Sequence, residues 1–401
     1  MQFDFTTVMD RAGKDAMAID AIGSGRGYAP AAPDPGFDVI PMWVADMNFA
    51  TAPCITRALQ ARIEHPAFGY FAPCDEYYDA IRWWHAQRKG VTDILPEHIG
   101  YENGVLGGLV SALAACCEPG GKVLVHSPTY IGFTAAIGNA GYTIVHSPLV
   151  QDAAGTWRMD YADMDAKLAE HGIRAAVFCS PHNPCGRVWE RAEVARAMEV
   201  YERHGCTVIA DEIWSDLVMP GHAHVPTQGV SEFAHANTVA LYAPSKTFNL
   251  AGLVGSYHVI YDGGLRSRVR KAASKPHYND MNVLSMHALI GAYCAEGAAW
   301  VDELVGVLDA NLAFACSYIE RHFEGVSAFR PQGTYMLFLD CSGWCAAHGC
   351  GIDELLEAGW RVGVAWQDGR IFGGKSHIRM NLALPLSRVK EAFARLDEFV
   401  F

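Results

Sequence analysis

The middle of this chain alternates short apolar runs with stretches of helical period, and that alternation leaves few folds open. Lys122–His126, Tyr142–Val145, Ala175–Cys179, Thr207–Ala210, Val239–Tyr242 and Ser256–Ile260 read as strands. Strands separated by helical stretches build a mostly parallel sheet covered by helices on both faces. Gly104–Cys117 (GVLGGLVSALAACC) reads as a buried helix, stopped by Glu118-Pro119-Gly120-Gly121. Beyond Ser285 the pattern turns helical over Ser285–Glu296 and Trp300–Phe323, and a mixed α+β tail runs from Thr334 to Phe401. The expected class is α/β. It has a large domain at 48–284 and a smaller α+β domain made from 1–47 and 285–401.

Three polar residues sit just beyond the carboxyl ends of expected strands. AAVFC runs into Ser-Pro-His-Asn and ends at Asn183; TVIA meets Asp211; VALYA runs into Pro-Ser-Lys and ends at Lys246. In open α/β sheets ligands bind past those strand ends, so the three side chains are expected in one crevice. An amine, a carboxylate and an amide are what a pyridine-aldehyde cofactor requires. The amine forms an imine, the acid keeps the ring nitrogen protonated, and the amide donates to the ring oxygen. Singly, each has a plainer reading: a solvated lysine, a helix cap at Asp211-Glu212, a turn at Asn183-Pro184. Together, each after its own strand, they favour the site.

A phosphate needs backbone donors at a helix N-terminus, and Asn103-Gly104-Val105-Leu106-Gly107-Gly108 opens the buried helix suitably. The segment lacks G-x-G-x-x-G spacing, which disfavours a dinucleotide dehydrogenase. Ser245 adds a hydroxyl beside the lysine, and Tyr130 is placed to stack on a cofactor ring or to serve as a core aromatic.

The 401 residues are 19% charged with a net charge of −13, which suits an enzyme with a deep core and repels nucleic acid and anionic lipid. Met1 to Gly23 has no apolar signal core, and no run approaches a membrane span. Twelve cysteines without framework spacing read as reduced, mostly buried thiols of a cytoplasmic protein. Cys341, Cys345, His348 and Cys350 match no zinc spacing, so no metal is expected.

These residues resemble the aspartate-aminotransferase-like superfamily of pyridoxal-phosphate (PLP) enzymes, fold type I, and more closely its MalY/PatB-type cystathionine β-lyases. The likeness rests on Pro41-Met42-Trp43-Val44-Ala45-Asp46-Met47-Asn48-Phe49, Phe68-Gly69-Tyr70, Ser180-Pro181-His182-Asn183-Pro184-Cys185-Gly186, Asp211-Glu212-Ile213, Ser245-Lys246-Thr247-Phe248-Asn249 and His377-Ile378-Arg379-Met380-Asn381. The resemblance implies that Lys246 is the Schiff-base lysine and the acid/base at Cα, and that Asp211 pairs with the pyridinium. It implies that Asn183 contacts the ring oxygen, that Tyr130 stacks, and that Val105, Leu106 and Ser245 contact the phosphate. Arg379 would hold the substrate carboxylate, with the Ala45 backbone nearby. Tyr70 would reach the phosphate of a neighbouring subunit, implying a homodimer with shared sites.

Two departures stand out. Where the superfamily usually has Tyr, and the C–S lyases His, this chain has Trp214, which places the substrate pocket in question. Where many aminotransferases bind phosphate with an arginine, this chain has Val254, the lyase-like condition. Trp43, Trp214, Trp366 and Tyr335 are candidate lining residues. The implied activity is β-elimination from an S-substituted cysteine, such as cystathionine, to thiol, pyruvate and ammonia. The alternatives are an aminotransferase using the same residues and, in third place, a PLP-binding regulatory protein with weak lyase activity.

Overall fold

The computed structural model describes residues 2–276 and 279–401. Among them seven strands form the main sheet, in the order Ile99–Glu102, Ser256–Val259, Thr238–Tyr242, Thr207–Asp211, Ala175–Cys179, Lys122–Ser127, Thr143–Pro148. The last five run parallel, and Ser256–Val259 runs antiparallel to both of its neighbours. That reversal has a local cause. A parallel return needs a long crossover, usually a helix. Between Tyr242 and Ser256 the chain carries only a single turn of helix, Pro244–Thr247, and a 3₁₀ turn, Ala251–Leu253. The edge strand Ile99–Glu102 was not expected from the sequence, because IGYE is short and half polar.

Alternation along the strands divides the core. Val123, Val125, Ala175, Val177, Cys179 and Ile209 face the helices Val105–Cys116, Ile131–Asn139 and Gly263–Ser274. Leu124, Ala176, Phe178 and Val208 face Tyr161–His171 and Arg191–Arg203 on the other side. Neighbouring residues of one strand thus serve opposite layers, as a pleated strand requires.

A second, antiparallel sheet contains Ser327–Ala328, Met336–Asp340, His377–Asn381 and Gln367–Asp368, in that order, and supplies Arg379. The helices Ala295–His322 and Leu386–Phe399 pack in the same core as this sheet. The break between the late helices falls at Tyr293–Cys294 rather than near 297–299 as the sequence pattern suggested. Cys294 is the reason: its Sγ accepts the Gly297 N–H at 3.4 Å and starts the long helix there. Near the N-terminus, Ile40 and Pro41 pair in parallel with Val364 and Ala365, which leads residues 43–48 past the end of the main sheet. All twelve cysteines are free, six buried and six half-buried. Among the described residues no helix is long and apolar enough to cross a membrane.

Candidate active site

Strand ends and the turns after them build the site. Asp211 is the last residue of its strand, and its carbonyl accepts the Ser180 N–H at 3.0 Å, tying two adjacent strand ends together. Asn183 follows from Ser180 in a tight segment with cis peptides at Pro181 and Pro184. Lys246 lies in the short helix Pro244–Thr247, whose first residue is proline, suited to a helix start. Asn183, Asp211 and Lys246 all line one cavity of about 320 Å³, together with Ala45, Val105, Leu106, Tyr130, Trp214 and Ser245.

The electrostatics are those of an unsatisfied acid facing a softened base. Burial pushes the Asp211 carboxyl up from 3.8 to about 7; the Ile213 N–H at 3.0 Å and the Lys246 amine oppose it, and Glu212 adds to the rise. Burial lowers the Lys246 amine from 10.5 to about 8, with Arg379 adding to the fall and Asp46 and Asp211 opposing it. A buried carboxyl so shifted needs a cationic partner to remain ionised at neutral pH.

The same cavity includes a helix start suited to an anion. The helix Val105–Cys116 has no side chain capping its N-terminus, and its first turn leaves the Val105, Leu106 and Gly107 amides ahead of the Gly108 N–H to Gly104 carbonyl bond. Gly104 holds φ at +79°, and nothing lies within 4 Å of where its Cβ would stand, so the approach to these amides is open. Ser245 lines the same cavity, and Val254, with φ +44°, contributes an apolar rather than cationic surface.

Arg379 is only 4% exposed. It donates to Asn183 Oδ1 at 3.3 Å and to the Trp43 carbonyl at 3.0 Å, lies 4.1 Å from the Phe372 ring centre, and leaves Nε without a partner. Burial lowers its guanidinium to about 10. A buried guanidinium with a free edge suits a bidentate carboxylate. The Lys246 amine donates to the Ala45 carbonyl at 2.9 Å and lies 5.8 Å from the Trp214 ring centre; Trp214 in turn meets Tyr335 edge-on at 4.8 Å.

Some expected residues stand elsewhere. Tyr70 is fully exposed and outside the cavity of its own chain. Trp43 does not line the cavity: its indole N–H is held by the Ala18 carbonyl at 2.9 Å beneath the N-terminal segment. Trp366 is core, bonded to the Leu356 carbonyl at 3.0 Å and packed where a Gly359 side chain would stand. Tyr335 supports Trp214 from behind rather than lining the pocket. Ala243, Ala251 and Gly255 line the cavity but were not singled out from the sequence, being small residues that carry no chemical signature; Asn103, which opens the expected phosphate segment, lines it as well.

Residues 38–396 match the family described as aminotransferase class I and II. The chain is 33% identical over 362 residues to cystathionine beta-lyase PatB of Bacillus subtilis (strain 168), covering 90% of this chain and 92% of that protein. It is 31% identical over 398 residues to protein MalY of Escherichia coli (strain K12), covering 98% of each. Its fold superposes on the PLP-bound C-S lyase from Staphylococcus hominis with a TM-score of 0.89 at 26% identity, over 100% of this chain and 99% of that one.

The residues present fit that cofactor. The cavity offers an amine, a buried acid lacking a cation, an amide whose oxygen is already engaged by Arg379 so that its NH₂ remains to donate, and an uncapped helix N-terminus behind an open glycine.

Proposed function

The chain belongs to the class I and II aminotransferase family, and from that premise we propose that it is a PLP-dependent carbon–sulfur β-lyase. It cleaves cystathionine or another S-substituted cysteine to a thiol, pyruvate and ammonia. The observation that carries this reading is the match to proteins named cystathionine beta-lyase over 90% of the chain, joined to a phosphate pole without an arginine, where Val254 stands.

Bound pyridoxal phosphate supplies an electron sink for the charge that builds on the substrate's α-carbon. Lys246 would hold the cofactor through its amine, and that amine is the group placed to take the proton from Cα. Its lowered pKa leaves roughly a tenth of the amine neutral at pH 7, against under a thousandth for an ordinary lysine. Asp211 would keep a proton on the ring nitrogen, and that cation would in turn stabilise its carboxylate. Asn183 donates to the ring oxygen, and Tyr130 covers the ring face. Val105, Leu106 and Ser245 bind the phosphate by two amides and a hydroxyl. Arg379 grips the substrate carboxylate, with the Ala45 backbone beside it and Trp214 as the adjoining wall.

We take the protein to be a cytoplasmic homodimer in which Tyr70 completes the partner's phosphate site. In support, Ile63, Phe68, Tyr70 and Phe71 form one exposed apolar segment, and all twelve cysteines are free. We place the large domain at 48–284 and the small domain at 1–47 and 285–401, a division supported by the confinement of the seven-stranded sheet to residues 99–259 and of the four-stranded sheet to 327–381.

The test is a product assay with cystathionine, other cysteine S-conjugates and common amino acids, with and without a keto acid. Pyruvate released from a cysteine conjugate without any acceptor supports the lyase. Turnover that depends strictly on an acceptor overturns it in favour of an aminotransferase.

A further inference from the structure

Five consecutive backbone carbonyls of the segment 43–47 are each captured by a side chain. Trp43 accepts from Arg379 at 3.0 Å, Val44 from Asn381 at 2.8 Å, Ala45 from Lys246 at 2.9 Å, Asp46 from Asn381 at 2.7 Å, and Met47 from Asn249 at 2.9 Å. The segment is irregular, so its carbonyls have no sheet ladder to satisfy them and depend on these donors. The two bonds from Asn381 bracket the carbonyl that receives the lysine.

Asn381 is fully buried and fully used. Its Nδ2 serves both carbonyls, its Oδ1 accepts the Ala383 N–H at 2.7 Å, and its own N–H donates to the Met42 carbonyl at 2.7 Å. It lies two residues beyond Arg379 on one strand, so both side chains leave the same face. That face therefore carries the carboxylate clamp and the support for the segment that meets the lysine.

We propose that Asn381 is a positioning residue for the Lys246 amine: by pinning the Val44 and Asp46 carbonyls it fixes the Ala45 carbonyl between them as the docking point of Nζ. Among the described residues, Ala45 O is the one hydrogen-bond acceptor of that amine. An amine that leaves the cofactor when substrate arrives needs such a point, because a four-carbon side chain otherwise samples many rotamers. The carbonyl accepts from the amine in either charge state, so it orients Nζ without fixing its protonation. This rests on the reading that Lys246 is the cofactor's lysine.

The charged groups facing Nζ are Arg379 from the neighbouring sheet, Asp46 from the segment itself and Asp211 from the main sheet, while burial lowers its pKa to about 8. Loosening the segment admits water, relieves that burial and moves the amine back toward an ordinary lysine. The test uses the full-length protein freed of cofactor, treated with an amine-acylating reagent over a range of pH, with Lys246 followed by peptide mass spectrometry. Asn381→Leu keeps nearly the same size, adds no charge beside the amine and cannot donate to either carbonyl. It should raise the labelling midpoint by about one pH unit, equivalent to tenfold in the neutral fraction, and lower the turnover number of the loaded enzyme. Asn381→Ser, which retains one donor and guards against misfolding of the first variant, should fall between the two. A folded variant of either kind with the native labelling midpoint and turnover number overturns the proposal. The reading it rests on fails differently, through a Lys246→Ala variant that still forms the visible band of the bound cofactor.

Discussion

Asp211 and Glu212 are neighbours in the chain, and the fold shifts their carboxyls in opposite directions from the ordinary carboxylate range. Burial lifts Asp211 to about 7. Glu212 is as deeply buried, but His224 at 2.8 Å, the Thr227 N–H at 2.8 Å and the Tyr242 hydroxyl at 2.7 Å hold it down to about 2. One carboxylate is satisfied by the fold; the other waits for a cation from outside it.

Asp211→Asn should therefore stabilise the protein when it carries no cofactor. A folded-state pKa raised from 3.8 to about 7 favours folding at low pH. The penalty on the native protein grows as pH rises above about 4 and is complete above about 7. The variant escapes it, gaining at most about 4 kcal/mol above that pH, while turnover of the loaded enzyme falls by orders of magnitude. Thermal melts of both cofactor-free proteins at pH 5 and pH 8 check the sign: the difference must be larger at pH 8.

Capture of the cofactor should follow the neutral fraction of Lys246. Below about pH 8 the rate of appearance of the visible band, on adding pyridoxal phosphate to the cofactor-free protein, should rise about tenfold per pH unit and then level off. Lys246→Ala should show no such band. A rate that keeps climbing to pH 10 would mean the amine titrates as an ordinary lysine.

Replacement of Arg379 by Ala should raise KM for amino-acid substrates on the order of a hundredfold, because a buried guanidinium clamp of this kind is worth about 2–5 kcal/mol. Arg379→Lys should recover only part of the loss, since an ammonium lacks the planar fork. Steady-state kinetics with one cysteine conjugate are sufficient. Equal KM values for all three proteins would remove Arg379 from substrate binding.

Lys89 and Asp216 form a buried pair at 2.6 Å, with side chains 2% and 5% exposed, and Asp216 also accepts from Trp84 and from Thr247, the residue after Lys246. Lys89→Ala leaves that carboxylate uncompensated and should cost about 3–5 kcal/mol. Lys89→Met combined with Asp216→Asn should cost less than the single change. Denaturant unfolding of the native protein and these two variants measures both numbers, and a double change that costs as much as the single one or more would show that the charges do not depend on each other.

Much of the site was legible in the sequence because the chemistry sits at strand ends. A strand such as Ala175–Cys179 announces itself by its apolar run, and the polar residues just beyond it are then placed by topology rather than by contacts. What the sequence withheld depends on tertiary partners. The strand Ile99–Glu102 is recognisable only through its pairing with Ser256–Val259. The role of Asn381 is invisible without the segment it holds, since its neighbours lie more than 330 positions away in the chain. Trp43 and Trp366 were drawn into the expected pocket by their size, yet each indole N–H is spent on a distant carbonyl, and size alone does not say which way a ring faces.

The hydrogen bond between Arg379 and Asn183, 3.3 Å long, makes one amide the property of two places. If Arg379 clamps the substrate as proposed, an incoming carboxylate would compete with that amide oxygen for the guanidinium. On the proposed reading, in which Asn183 meets the ring oxygen of the cofactor, the ligand's acid end would be coupled to that edge through a single side chain. A molecule bearing the amine and the thioether but no carboxylate would leave that coupling unused.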